Sequence, residues 1–468
     1  MDGSAPASAQ TARLLAIQRS AQRRDGPPPA RLRIARLRQL EVMVRQRAEA
    51  FARAISDDFG RRSEFETSLL EVAVLLSALR HTRRHVTWWM QPAYAEVSFN
   101  FWPGSAFVRS EPLGVVGILA PWNYPLQLSL APLIDAIAAG NRAIIKPSEH
   151  TPRFSALLKE AVSDTFSEDV VAVVLGGPDV AADFSSQPFD HLIFTGSTAV
   201  GRRVAAAAAQ NLTPTTLELG GKSPALICPS ASLAKAAKTV AMGKFINAGQ
   251  TCIAPDYVLV PRQNAMAFCE AVMAEAGRLY PPDSPDYSSL ISAGAFDRMT
   301  EAVGQAVAAG ARVLNHGQAP DRSQRLFPPV IVIDPPASCG LLQEEIFAPV
   351  LPVISYDTLE EAVGWIGDRP HPLALYVFAE DRREESYVLD RTQSGGVTVN
   401  ATLLHVAQEG LPFGGVGASG WGAYHGKAGF DRLSHKRAVF RAGFINTASW
   451  LAPPYGARAR RLLRFLLR

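Results

Sequence analysis

Cys252 ends the run Phe245-Ile-Asn-Ala-Gly249-Gln250-Thr251-Cys252, behind a helical pattern. A cysteine in a Gly-Gln-Thr turn is placed for exposure, with neighbouring backbone N–H groups aimed at a developing oxyanion. That suits a covalent nucleophile. A buried structural thiol is the competing reading, since free cysteine behaves as a small hydrophobe. The structural reading is kept for Cys228, Cys269 and Cys339, which sit in strand, helix and loop patterns without polar company. Glu218 lies between Leu217 and Leu219, ahead of Gly220-Gly221-Lys222-Ser223-Pro224. Pointing inward, its carboxyl loses solvation, rises in pKa and becomes a usable general base. Pointing outward, it is only the polar face of an alternating strand. Asn123, in Ala120-Pro121-Trp122-Asn123-Tyr124-Pro125, offers an amide donor to a cleft at the carboxyl end of a sheet. Asx residues in Pro-flanked loops also form plain turns.

Two further segments have the chemistry of nucleotide binding. Phe194-Thr195-Gly196-Ser197-Thr198-Ala199-Val200-Gly201 joins an apolar strand to a helix. Free N–H groups and the positive dipole end of that helix suit a phosphate. Arg202-Arg203 after Gly201 exclude a Gly-x4-Gly-Lys-Ser/Thr phosphate loop, and the spacing is not Gly-x-Gly-x-x-Gly. An ordinary tight turn explains this segment equally well. In Ile145-Lys146-Pro147-Ser148-Glu149, an acid or a lysine at a strand end can meet a ribose hydroxyl, and a lysine can pair with phosphate. Solvated strand-end charges are the alternative.

The elements that must carry these residues read as alternating strands and helices, hence an α/β fold with a parallel sheet and right-handed crossovers. Helical patterns cover 31–58 and 64–90, a continuous apolar strand 114–120, and a helix 131–139 stopped by Gly140. Strands follow at 142–146, 170–175 and 191–195. After Gly220-Gly221 the alternation restarts, with strands at 224–228 and 257–260, helices at 233–248 and 265–279, and short strands near 330–333 and 350–354. The reading is of two α/β domains with a boundary near residue 221.

Composition narrows the function classes. A chain of 468 residues, 47% hydrophobic, holds more than one full core. Its 47 basic and 43 acidic residues give a charge of +4, too small an excess to expect a nucleic-acid partner. The four cysteines are scattered without Cys-x-x-Cys or metal-ligand spacing, so reduced thiols, a cytoplasmic location and no metal are expected. The most apolar stretch, 113–140, is broken by Pro121, Pro125 and Pro132 and carries Asp135, so it is not a membrane span. Residues 1–24 are rich in Ala, Ser and Arg but lack an apolar signal core, and targeting is not expected.

Over residues 15–445 the chain resembles the aldehyde dehydrogenase superfamily. Ala-Pro-Trp-Asn-Tyr-Pro, Lys-Pro-Ser-Glu, Phe-Thr-Gly-Ser-Thr-x-x-Gly, Leu-Glu-Leu-Gly-Gly-Lys-Ser-Pro and Gly-Gln-Thr-Cys occur in that family's order. Ser110-Glu-Pro-Leu-Gly-Val-Val116, Cys252-Ile-Ala-Pro-Asp-Tyr257, Leu411-Pro-Phe-Gly-Gly-Val-Gly417 and Gly422-Ala-Tyr-His-Gly-Lys427 look like its class 3 branch. Leu404-His-Val-Ala-Gln-Glu-Gly-Leu-Pro is similar to bacterial coniferyl aldehyde dehydrogenases. Ala348, where the family usually has glycine in Glu344-Glu-Ile-Phe-Ala-Pro349, and Ala418, where asparagine is frequent, depart from the pattern.

The resemblance implies oxidation of an aldehyde to an acid with NAD preferred and NADP as the alternative. Cys252 is then the nucleophile, Asn123 an oxyanion donor and Glu218 the base that activates water. Lys146 and Glu149 fall at the adenosine ribose, and Ser148 elsewhere in the cofactor site. Gly196, Ser197 and Gly201 line the pyrophosphate, Glu345 and Phe347 the nicotinamide ribose, and Trp122 and Leu219 the cofactor site. Trp122, Tyr124 and residues 402–409 fall near the substrate, expected to be an aromatic or hydrophobic aldehyde such as coniferyl aldehyde; a medium- or long-chain aliphatic aldehyde is the alternative. The implied domains are 1–88 with 110–221 for NAD, 222–402 for catalysis, and 89–109 with 403–468 for bridging in a homodimer. The tail, Ala457-Arg-Ala-Arg-Arg-Leu-Leu-Arg-Phe-Leu-Leu-Arg468, puts Arg461, Arg464 and Arg468 on one stripe beside leucines. An interfacial membrane helix has that pattern, but a short basic helix is the leading expectation.

Overall fold

The computed structural model describes residues 7–315, 317–444 and 452–467. Residues 1–6 of the Ala/Ser/Arg-rich start and Arg468 of the basic stripe lie outside the described residues. Two large sheets organise the chain. The first has six strands, in the order Gly420–Trp421, Thr215–Leu219, His191–Gly196, Val115–Leu119, Arg142–Lys146 and Val171–Val173. All neighbours are parallel except Gly420–Trp421, which pairs antiparallel with Thr215–Leu219. Val115–Leu119 is buried along its whole length, as a parallel strand covered on both faces must be. The second sheet has seven strands, in the order Arg312–Asn315, Val330–Ile333, Val350–Tyr356, Tyr257–Pro261, Pro224–Ile227, Ala374–Phe378 and Gly396–Val399. Its first strand is antiparallel and the rest parallel. A small antiparallel sheet joins Ala93–Ala95, Ser105–Pro112 and Ser434–Arg441.

The expected α/β class is thus present, and the departures have local causes. Helix Pro125–Ala139 starts six residues earlier than expected, because Pro132 sits inside it rather than breaking it. Pro125 occupies the first turn, where a missing N–H costs nothing. Helix Ala7–Asp25 was not anticipated, since its apolar periodicity is weak. It is held by Leu14 and Leu15, buried against the sheet, and by Gln18, whose Nε2 donates to the carbonyls of Ala143 and Glu168, both at 3.0 Å. The helix expected over 233–248 stops at Phe245. Asn247, Ala248 and Gly249 then take φ of +50°, +51° and +75°. This costly left-handed stretch turns the chain out of the helix and presents Gln250, Thr251 and Cys252. In the helical run 64–89, a π-turn at Ser68–Val72 rotates Glu71 into the interior.

Candidate active site

Cys252 is half-buried at the end of that left-handed turn. Its own N–H and that of Ile253 favour the thiolate, but burial, together with the nearby Glu345 and Glu218 carboxyls, pushes the thiol up to about 12. The resting sulfur is therefore protonated at neutral pH and needs a neighbour to take its proton. Tyr376, whose hydroxyl donates to the Ile253 carbonyl, and Tyr424 both lie within electrostatic reach of the sulfur.

Glu218 points inward. It is 2% exposed, and neither carboxyl oxygen has a hydrogen-bond partner among the described residues. Desolvation alone holds its carboxyl well above the usual range. An unpartnered buried carboxyl is costly and marks a group that handles protons. Asn123, 3% exposed, donates from Nδ2 to the Gln250 carbonyl at 3.2 Å, two residues before Cys252. The next residue, Tyr124, shares a 2.7 Å hydrogen bond with the Thr251 hydroxyl. Two loops from different sheets are thus stitched together around one thiol.

Glu345 comes to the same place from a third loop. Its carboxyl accepts the Gly221 N–H and lies against Gly220, where a Cβ would sit 2.6 Å from the carboxyl carbon. Burial and Asp256 push it up to about 8. Lys222 and Asp256 hold this loop. Lys222 Nζ pairs with Asp256 and donates to the Leu341 and Glu344 carbonyls at 2.8 and 2.9 Å, while Asp256 Oδ1 accepts the Ile346 N–H at 2.9 Å. Phe347, at φ +50°, packs edge-on against Trp122 with ring centres 5.4 Å apart. Ala348 is 1% exposed and sits in the core.

A cleft of 510 Å³ opens at the carboxyl ends of the first sheet, lined by Trp122, Lys146, Ser148, Glu149, Gly196, Ser197 and Arg203 among others. Lys146, 3% exposed, meets Glu149 Oε2 at 2.7 Å. Burial raises the Glu149 carboxyl, but the Lys146 bond, its own backbone N–H and the charges of Lys146 and His150 together hold the group below its usual value. Ser197 caps helix Thr198–Ala209 by accepting the Val200 N–H at 3.4 Å. The mouth of the cleft is therefore the positive end of a helix. Its remaining walls include Pro178, Ala181, Phe194 and Val204, apolar enough for a flat base. These residues fit a dinucleotide. Gly201 and Leu219 are not on the lining. Gly201 lies one turn into the helix, donating to the Ser197 carbonyl at 2.9 Å, and a Cβ there would be 2.5 Å from Leu219. Together they let helix and strand pack closely. Glu345 and Phe347 also lie off this lining, beside Gly220 and Trp122.

Several residues that build the site escaped the sequence reading: Arg62, Glu66, Glu71 and Asn247 beneath Asn123, and the Lys222–Asp256 pair. Lys222 and Asp256 stand inside quoted motifs, but 34 positions separate them and no periodicity links them.

The sequence profile of the aldehyde dehydrogenase family matches residues 4–439. The "Probable coniferyl aldehyde dehydrogenase" of Caulobacter vibrioides is 47% identical over 96% of this chain and 95% of its own length. The coniferyl aldehyde dehydrogenase of a Pseudomonas species is 42% identical over 100% and 98%. A solved Staphylococcus aureus AldH in its substrate-bound state superposes with a TM-score of 0.92 at 33% identity, covering 97% of this chain and 99% of that one. Two mainly parallel sheets and a nucleotide-shaped cleft beside a half-buried cysteine define the class as a nicotinamide-dependent oxidoreductase. The chain belongs to the aldehyde dehydrogenase family and is an NAD(P)-dependent aldehyde dehydrogenase.

Proposed function

We propose that this enzyme oxidises an aromatic or hydrophobic aldehyde to its acid through a covalent bond to Cys252. The carrying observation is the fully buried, unpartnered Glu218 carboxyl next to a thiol held protonated. The Cys252 sulfur attacks the aldehyde carbon, and its proton leaves toward Glu218 once that carboxyl is ionised. The Asn123 amide and the Cys252 N–H hold the oxyanion of the thiohemiacetal, each worth ~3–4 kcal/mol in comparable sites. When bound, the nicotinamide supplies the acceptor for the hydride whose loss leaves a thioester. Glu218 releases that proton to solvent and then takes one from water as its oxygen attacks the thioester, and this proton passes to the departing Cys252 sulfur as the acid leaves.

Lys146, Ser148, Glu149, Gly196 and Ser197 would hold the adenosine and pyrophosphate, with Trp122, Glu345 and Phe347 toward the nicotinamide ribose. A Glu149 carboxylate opposes a 2′-phosphate, and Lys146 is already engaged by it, which supports NAD over NADP. The coniferyl aldehyde dehydrogenases among the relatives, and the segment 404–412, support coniferyl aldehyde as the first substrate to test. A panel of purified-enzyme rates should place coniferyl aldehyde above hexanal and acetaldehyde in kcat/KM. A large preference for acetaldehyde rejects the aromatic reading. Preference for hexanal or longer chains selects the aliphatic alternative.

We assign residues 1–88 and 110–221 to cofactor binding, 222–402 to the catalytic half, and 89–109 with 403–468 to bridging. Tyr94, Phe101, Trp102 and Phe440 stand exposed on or beside the small antiparallel sheet, which supports a homodimer closed over it. A monomeric sedimentation coefficient would reject that. Four cysteines without a disulfide support a reducing, cytoplasmic setting.

A further inference from the structure

Asn123 is gripped from beneath by a buried ion cluster that the mechanism above leaves unused. Arg62 lies in the turn between helices Ala30–Phe59 and Glu64–Thr67, its side chain wholly buried. Its Nη1 donates to the Asn123 carbonyl at 3.0 Å and lies 3.1 Å from Glu71 Oε1, while Nε lies 3.6 Å from Glu66 Oε1. The rings of Phe59 and Tyr124 cover the guanidinium at 5.1 and 4.9 Å.

The two carboxyls reach opposite walls of the site. Glu71 Oε2 accepts the N–H groups of Leu126 and Gln127 at 2.8 and 3.1 Å, fixing the first turn of the helix that begins two residues after Asn123. Glu66 Oε2 accepts the Asn247 N–H at 3.4 Å, in the left-handed turn that delivers Cys252. Asn247 closes the circuit, donating from Nδ2 to the carbonyls of Asn123 and Gln250, both at 3.1 Å.

We propose that Arg62, with Glu66 and Glu71, is a positioning device that sets the separation between the Asn123 amide and the Cys252 sulfur. A buried ion cluster is a poor source of stability, because desolvation offsets its Coulomb attraction and well-packed apolar side chains do as well. What it offers is directional contact with four backbone groups at once, the Asn123 carbonyl from Arg62 and the N–H groups of Leu126, Gln127 and Asn247 from the two carboxylates, which the planar guanidinium holds apart. Here every such contact ends on the loop of Asn123, the helix turn that follows it, or the loop of Cys252. Because catalysis tolerates little error in the placement of reacting groups, that common destination identifies its role.

The proposal rests on Asn123 holding the oxyanion, and a double-mutant cycle tests both. Arg62→Met, Asn123→Ala and the double variant are compared in NAD-dependent aldehyde oxidation and in cofactor-free hydrolysis of p-nitrophenyl acetate, with thermal unfolding followed alongside. Arg62→Met should lower kcat in both reactions by about 10–100-fold while leaving KM for NAD unchanged. In the Asn123→Ala background the same change should cost less than about twofold. Equal losses in the two backgrounds, or a wild-type kcat for Arg62→Met, overturn the positioning role. A wild-type kcat for Asn123→Ala alone overturns the oxyanion reading and this proposal with it. Should Arg62→Met not fold, Arg62→Lys keeps the buried charge but loses the fork, and the same cycle applies to it.

Discussion

Gly249→Ala perturbs the loop that carries Cys252 at its tightest point. Gly249 has φ +75°, and a Cβ there would lie 2.6 Å from the Ala348 carbonyl carbon and 3.1 Å from the Lys244 carbonyl oxygen. Holding an alanine in the left-handed region costs ~1–2 kcal/mol. The clash adds to this, because both neighbours are backbone and neither is the loose end of a side chain. Relieving it moves the Cys252 loop or the 345–348 loop by roughly 1 Å, a misplacement that costs about 10²-fold in rate, or ~2.7 kcal/mol at the transition state. Gly310→Ala is the control. Its φ is +88° but nothing lies within 4 Å of a Cβ, so it carries the strain without the collision. Steady-state kcat with NAD, read beside thermal unfolding, should show Gly249→Ala about 100-fold slower than Gly310→Ala, with the left-handed strain common to both and the larger loss of stability in Gly249→Ala. A kcat within twofold between the two variants would refute the claim that this turn sets the position of the nucleophile.

Three other outcomes are expected. Iodoacetamide alkylation of the enzyme without nucleotide, corrected with Cys252→Ser, should speed up about tenfold per pH unit from 7 to 10, because the thiolate is scarce below a pKa pushed up to about 12. A plateau below pH 8 contradicts the burial argument. Glu149→Gln should raise kcat/KM for NADP relative to NAD by about tenfold or more, since a charge opposing a 2′-phosphate is removed; an unchanged ratio rules out that role. The tail helix Ala457–Leu466 leaves Leu463 and Phe465 exposed beside Arg464 but is short, so co-sedimentation with anionic phosphatidylserine vesicles should be unchanged when 457–468 are deleted, and a loss on deletion would favour the interfacial alternative. Equal sedimentation with and without the tail ends the membrane reading; among the described residues no helix is long and apolar enough to cross a bilayer.

Much of this was readable before the structure, for a physical reason. The strands of a parallel sheet are continuous apolar runs, and the turns after them are punctuated by Gly and Pro, so 142–146 and 224–228 were found almost to the residue. Glu218 could be flagged but not oriented, because Leu-Glu-Leu alternates whichever way it faces. Its pairing with Gly420 in the antiparallel edge strand is contact information that no local pattern holds. Arg62 and Glu66 have the i, i+4 spacing of an ordinary surface ion pair. Only the π-turn that rotates Glu71 inward, and the packing of Phe59 and Tyr124 over the guanidinium, make them interior. Pro132 misled in the other direction, since a proline inside a helix is tolerated once the helix is buried on every side.

Strand Thr215–Leu219, which carries Glu218, has one edge whose strand partner among the described residues is the short Gly420–Trp421. Gly420 is there of necessity, with φ +126° and the Leu217 carbonyl carbon 2.9 Å from where a Cβ would sit. On the ribosome, that edge therefore waits for a partner made some two hundred residues later. An unpaired strand edge in an unfinished chain is a template for pairing with another nascent chain. The strand that carries Glu218 is thus sealed late on one side, and a polypeptide abandoned before residue 420 would display that unpaired edge to chaperones and proteases.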